Sequence, residues 1–145
     1  MRYLLLFTYL IFTMSSTQAQ ITSLDDFRWK NRLLIIYSAN QKSSLLEEQL
    51  AKISYKKEGY LDRDLKVIIL KNQKVEIWNS TKNHNLQFNK IIKELNIDEN
   101  KTYQNLLIGK DGGVKLRSNS PISNEKLFKT IDAMPMRQRE MKDGN

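Results

Sequence analysis

Leu106-Leu107-Ile108-Gly109-Lys110-Asp111-Gly112-Gly113-Val114-Lys115-Leu116 reads as two strands joined by a tight Asp-Gly turn. Asp-Gly between apolar runs is the strongest short-range hairpin signal. The strands are expected over 106–108 and 114–117. Gly112 and Gly113 are expected to supply the positive φ angles that the turn or an adjoining bulge requires. Lys110, Lys115 and Arg117 are the basic positions of the hairpin. A glycine-rich basic turn suggests a phosphate loop, but Gly-x-x-x-x-Gly-Lys-Ser/Thr must open a helix and this turn opens a strand. A calcium loop is excluded as well, because the alternating Asp series is missing.

Toward the N-terminus, Leu86 to Leu95 has helical spacing, with Phe88, Ile91, Ile92 and Leu95 on its inward face. Asn96 to Asn105 reads as a loop. Val75 to Trp78 alternates weakly and suits a short edge strand. Leu33 to Tyr37 and Leu65 to Leu70 are continuous apolar runs, the pattern of strands buried on both faces. Between them lies a helix predicted over 44–58, with Ser44 and Glu47 as a capping box and Gly59 as a left-handed cap. A helical link of this length is what a parallel crossover needs. Asp62-Arg63-Asp64 reads as a surface turn with one local ion pair. Ile21 to Asn31 is a lead-in anchored by Leu24, Phe27 and Trp29, with Asp25 and Asp26 in the first turn of a short helix.

On the C-terminal side, Ser123 is expected to cap a helix carrying Glu125 in its first turn and Leu127, Phe128, Ile131 and Met134 inward. Pro135 should break it at Met134, because the residue before a proline avoids the helical region. Met136 to Lys142 continues as a short segment, and 143–145 should fray.

The chain has 145 residues, which suits one domain. Residues 1–19 have the marks of a secretory signal: Arg2, an apolar Tyr3 to Met14, and Thr17-Gln18-Ala19 as a cleavage site. The apolar run is too short to span a bilayer, which takes about 20 residues. Export to the periplasm or the exterior is expected, with one domain over 20–145. Lys and Arg number 24 against 16 Asp and Glu; without Arg2 the balance is 23 to 16, a net +7. Such a charge favours anionic partners. An exported chain rarely meets nucleic acid, so an anionic polymer, a lipid surface or an envelope protein is the expected partner. With no cysteine there is no disulfide and no thiol chemistry. His84 is the one histidine, too few for zinc, which takes three or four ligands. No metal or cofactor is implied. The loop after the first strand offers Ser38, Asn40, Gln41 and Ser43, with no base to activate a nucleophile.

The order strand–helix–strand–helix–strand–strand–helix is that of an α/β, thioredoxin-like three-layer sandwich with a central mixed sheet, βαβαββα. Leu107 to Arg117, followed by Ile131-Asp132-Ala133-Met134-Pro135-Met136-Arg137-Gln138-Arg139-Glu140-Met141, resembles the bacterial domain of unknown function 4174. That family is similar to the DUDES domain of secreted matrix proteins such as sushi-repeat proteins. Gly109, Gly112, Gly113, Asp132, Met134, Pro135 and Met136 belong to the motif. The resemblance implies a thioredoxin-like fold related to peroxiredoxins and brings no established activity. Two departures from redox-active members argue against oxidoreductase activity: the missing Cys-x-x-Cys, and Gln104-Asn105 where such members keep a cis-proline.

Three functions follow. The first is a binding module in which Lys110, Asp111, Lys115, Arg117, Arg137 and Arg139 recognise an anion. The second is a protein-interaction surface near Met134, Met136 and Met141, since methionine adapts to varied partners. The third, ranked last, is an enzyme using Asp111 or Asp132 in acid–base chemistry. A bland alternative is that Arg137 or Arg139 forks onto Asp132 and ties the C-terminal segment to the sheet.

Overall fold

The computed structural model describes residues 20–40 and 42–144; the predicted signal segment, Gln41 and Asn145 lie outside the described residues. Five strands form one sheet in the order β3-β2-β1-β4-β5. They are β1 (Arg32–Ser38), β2 (Leu65–Lys71), β3 (Lys74–Ile77), β4 (Tyr103–Ile108) and β5 (Val114–Ser118). β1 and β2 run parallel, and the other neighbours pair antiparallel. The helices are α1 (Ser44–Tyr55), α2 (Lys57–Asp62), α3 (Phe88–Glu94), α4 (Asn124–Asp132) and α5 (Pro135–Asp143), with a 3-10 turn at Leu24–Phe27. No helix among the described residues is long and apolar enough to cross a membrane.

The apolar runs behave as their sequence requires. β1 is buried along its whole length, and its alternate residues feed two cores. Leu33, Ile35 and Tyr37 pack with Ile91, Ile92 and Leu95 on one face. Leu34 and Ile36 pack with Ile53, Tyr60, Leu127 and Ile131 on the other. Ser123 caps α4 by accepting from Lys126 N. Met134 is extended (φ −72°, ψ 137°) and Pro135 opens α5 as its first residue. At this site proline's fixed φ and missing N–H suit a helix start.

Several expectations are corrected. The helix expected over 44–58 is two helices, interrupted at Lys56 (φ −124°, ψ 33°). Its cap is Ser43, whose side chain accepts from Leu46 N, rather than Ser44. Gly59 lies inside α2 and is no left-handed cap. A Cβ there would sit 2.7 Å from the Phe128 ring, so this glycine serves the close approach of α2 to α4. The left-handed residue after α2 is instead Asp64 (φ 48°), just as Asn96 (φ 49°) follows α3. β4 begins at Tyr103, so the loop expected over 96–105 ends earlier, and Gln104 and Asn105 are buried strand residues. Trp29 is no core anchor. It is 66% exposed at φ 63°, where the chain turns to give its N–H to the Lys110 carbonyl. In the hairpin turn only Gly112 has positive φ (83°), and the Arg28 guanidinium lies where its Cβ would be.

The register shifts between Leu107 and Ile108. Leu107 pairs with Leu116 and Ile108 with Val114, which leaves Lys115 as the extra residue of a β-bulge. A bulge re-aims the side chain it inserts. It separates Lys115 from Arg117, two residues on.

Candidate functional site

β1 begins where β4 ends, so Arg32 and the hairpin turn share one end of the sheet. Arg32 is 1% exposed. A guanidinium cannot lose its charge, so burial there demands counter-charge. Glu140 of α5 supplies it in a two-pronged pair, Nη1 to Oε2 at 3.1 Å and Nη2 to Oε1 at 3.2 Å. Arg32 Nη1 also donates to the Arg63 carbonyl at 3.0 Å. Its Nε is buried with no partner among the described residues.

Lys110 follows β4 and is 9% exposed. Its Nζ lies 2.8 Å from Asp64 Oδ2 and 2.7 Å from Glu140 Oε1. Arg137 donates to the Asp62 carbonyl at 2.8 Å, to Asp132 Oδ1 at 3.3 Å and to the Asp62 carboxylate. Arg63 forks onto Asp132 at 2.9 and 2.6 Å, with its guanidinium 4.3 Å from the centre of the Phe128 ring. The four cations Arg32, Arg63, Lys110 and Arg137 thus meet the four carboxylates Asp62, Asp64, Asp132 and Glu140 in a network of zero net charge, whose two halves are joined by Arg137 Nη1 and Glu140 Oε2 at 3.7 Å. It joins β1, β4, the α2–β2 turn, α4 and α5. Asp62-Arg63-Asp64 is therefore the hub of a tertiary network; the local pair, Arg63 to Asp62 at 3.3 Å, is its least part.

The network sets the ionisation of its members. Burial pushes the Glu140 carboxyl up, but hydrogen bonds from Lys110 and Arg32 outweigh it and hold the group below its ordinary value. Burial pulls Lys110 down, and the hydrogen bonds to Asp64 and Glu140 more than restore it. Both stay charged through the neutral range.

A cavity of about 470 Å³ opens beside this network. One side is formed by Arg32, Gly109, Lys110, Asp111 and Lys115. The other is formed by Thr130, Ala133, Met134, Pro135 and Met136, the α4–α5 junction. The volume lies within the roughly 300–1,000 Å³ of small-molecule sites. Lys115 and Asp111 pair at 2.6 Å, with side chains 34% and 44% exposed. The Lys115 hydrogen bond, then the Gly113 N–H, holds the Asp111 carboxyl below its ordinary value. Both side chains fold across Gly109: a Cβ there would lie 2.5 Å from Lys115 Cε and 2.7 Å from Asp111 Oδ1.

The candidate residues are thus sorted. Lys110, Asp111 and Lys115 meet at the cavity with Gly109, Met134, Pro135 and Met136. The expected convergence of Lys115, Arg117, Arg137 and Arg139 on one exposed patch does not form. Arg117 reaches away to the Leu95 and Asn96 carbonyls at the end of α3. Arg137 is buried in the network, its fork onto Asp132 being the structural tie of the bland alternative, and Arg139 is exposed on α5. Asp132 is held by two guanidiniums and does not line the cavity. Sequence reasoning missed Arg32. Its one signal was a charge set directly against an apolar run, Leu33 to Tyr37. No group of three or more His, Cys, Asp or Glu side chains that could hold a metal occurs among the described residues.

Comparison with known proteins agrees with this geometry. The sequence model described as "Domain of unknown function (DUF4174)" matches residues 23–140, which include both the hairpin and the α4–α5 junction. No curated protein matches the chain. Among solved structures, the reduced 2-Cys peroxiredoxin of Plasmodium vivax is similar at TM-score 0.56 and 14% identity, over 81% of this chain and 84% of that one. The thioredoxin peroxidase I of Plasmodium yoelii is similar at TM-score 0.56 and 16% identity, over 86% and 82%. At such identities the likeness is one of fold, and the fold is thioredoxin-like.

Proposed function

The chain belongs to the DUF4174 family, and on that premise we propose that it is an exported, non-redox binding module that holds an anionic ligand in the cavity between the hairpin turn and the α4–α5 junction. One observation carries the reading. Three cations, Arg32, Lys110 and Lys115, line the cavity with a single carboxylate, Asp111. The carboxylates that neutralise the inner two, Glu140 and Asp64, do not line it. Arg32 and Lys110 therefore line the cavity while their counter-charges do not.

The absence of cysteine from the sequence supports the non-redox part. The signal-like residues 1–19 support export, and with it the kinship to secreted matrix domains. A partner protein docking on Met134, Met136 and Met141 is the second reading. It is favoured by the 41% exposure of Met141 on α5 and by Met134 and Met136 lining the cavity.

Retention on a sulfated matrix across a salt series tests the anion reading, since screening weakens exposed charge contacts. Lys115→Glu should elute at clearly lower salt than the parent with an unchanged melting temperature. Equal elution of the two would refute it. Processing is checked by expressing the full chain in a Gram-negative host and sequencing the N-terminus of the periplasmic product, expected near Gln20.

A further inference from the structure

We propose that the ligand of this cavity is a small amphiphile carrying one negative charge on a single apolar tail. The inference rests on the anion reading above and adds the charge number and the tail.

The donor inventory fixes where the head binds. An ammonium has three N–H groups and a guanidinium five. Lys110 uses two, on Asp64 and Glu140, and Lys115 uses one, on Asp111. The Arg32 Nε is buried and has no partner among the described residues. Spare donors of Lys110 and Lys115 thus meet on the side of the cavity that Arg32 also lines.

The charge inventory fixes the head at one unit. The eight-residue network is already neutral, and disturbing it would strand a buried charge. The Lys115–Asp111 pair is the part that can exchange. It is half exposed, and such pairs contribute little. An incoming anion can take Lys115 and release Asp111, already 44% exposed, to water. A second negative charge finds no further cation to release and faces Asp111 instead.

The opposite side fixes the tail. Ala133, Met134, Pro135 and Met136 present aliphatic and thioether surface beside Thr130, whose hydroxyl donates to the Lys126 carbonyl. The Ala133 and Met134 N–H groups are used within the chain, on Lys129 and Ile131, and Pro135 has none. A flexible thioether wall adapts to an alkyl chain. At roughly 30 Å³ per non-hydrogen atom, the share of a water molecule, the cavity holds about fifteen such atoms. That admits a carboxylate with a tail of up to about twelve carbons, so decanoate fits with room to spare.

Calorimetric titration of the purified protein with decanoate tests this, with acetate as the head alone and decyltrimethylammonium as the tail with inverted charge. Decanoate is expected to bind at least about tenfold more tightly than either, because only it satisfies both sides. Lys115→Met and, separately, Met136→Asp should each weaken decanoate by about tenfold, whereas Arg139→Ala, outside the cavity, should not. Two variants on opposite walls guard against one of them misfolding, and melts identify such a case. Equal binding of acetate and decanoate, or of the cationic probe and decanoate, overturns the proposal. So does association with phosphatidylglycerol vesicles without decanoate binding. If decanoate fails while matrix retention still depends on Lys115, the amphiphile inference falls and the anion reading stands; if both fail, both fall.

Discussion

The two ends of β1 bury polar side chains in opposite ways. Near its Ser38 end the buried groups are neutral. Gln49 Oε1 accepts from Ile122 N at 2.7 Å and from Asn105 Nδ2 at 2.9 Å, while its Nε2 donates to the Ile122 carbonyl at 3.2 Å. Tyr103 donates to Asn105 Oδ1 at 3.1 Å, and burial pushes its phenol up to about 12. These groups are satisfied by one another and by backbone. At the Arg32 end the buried groups are charged, and only opposite charges can satisfy them. Those counter-charges come from α2, its following turn, α4 and α5. The neutral end is closed on itself. The charged end keeps spare donors beside a cavity, and on that difference rests the proposal that this end takes a ligand.

Breaking the charged end should have the largest effect. Glu140→Ala leaves Arg32 and Lys110 without their shared carboxylate and should destabilise the protein by about 3 kcal/mol. The urea midpoint measures it. Acid should remove part of the same stability. The folded carboxyl of Glu140 lies below its ordinary value of 4.5, so its contribution is full above that pH and is lost as pH falls through the lower folded value. Glu140→Gln should flatten the stability–pH curve in that window, and an unchanged curve would show that Glu140 is not the linking group.

Gln49→Leu attacks the neutral end. It leaves the Ile122 N–H and carbonyl without partners and should cost about 2 kcal/mol, with no effect on anion retention. Loss of retention in this variant would erase the distinction between the two ends. Gly112→Ala places a Cβ at φ 83° against Arg28 and should cost about 1 kcal/mol. Lys115→Met comes last for stability, within about 0.5 kcal/mol. In ligand binding its effect should be foremost of the four.

Much of the fold was legible in the chain. The apolar runs at Leu33–Tyr37 and Leu65–Leu70, the hairpin and the Ser123 and Pro135 signals each follow from local chemistry and stand where expected, although the hairpin turn closes from the Gly112 N–H to the Gly109 carbonyl, with Lys110-Asp111 rather than Asp111-Gly112 at its centre. The boundaries that shifted depended on neighbours. Gly59 reads as a cap until Phe128 is placed against it. Asp62-Arg63-Asp64 reads as a surface turn until α4, α5 and the hairpin bring Asp132, Arg137 and Lys110 to it.

For the site, the chemical types are written in the chain: a basic hairpin, a methionine–proline junction and no cysteine. Tertiary structure decided which charges oppose which. Arg32 and Glu140 are 108 positions apart, and nothing in the spacing of either predicts the other. Arginines that look alike in sequence were sent to three fates: Arg117 to a helix end, Arg137 into the buried network, Arg139 to solvent. The reason is physical. Secondary structure is written in near-neighbour preferences, whereas a buried charge is tolerated only where the packed chain delivers its partner.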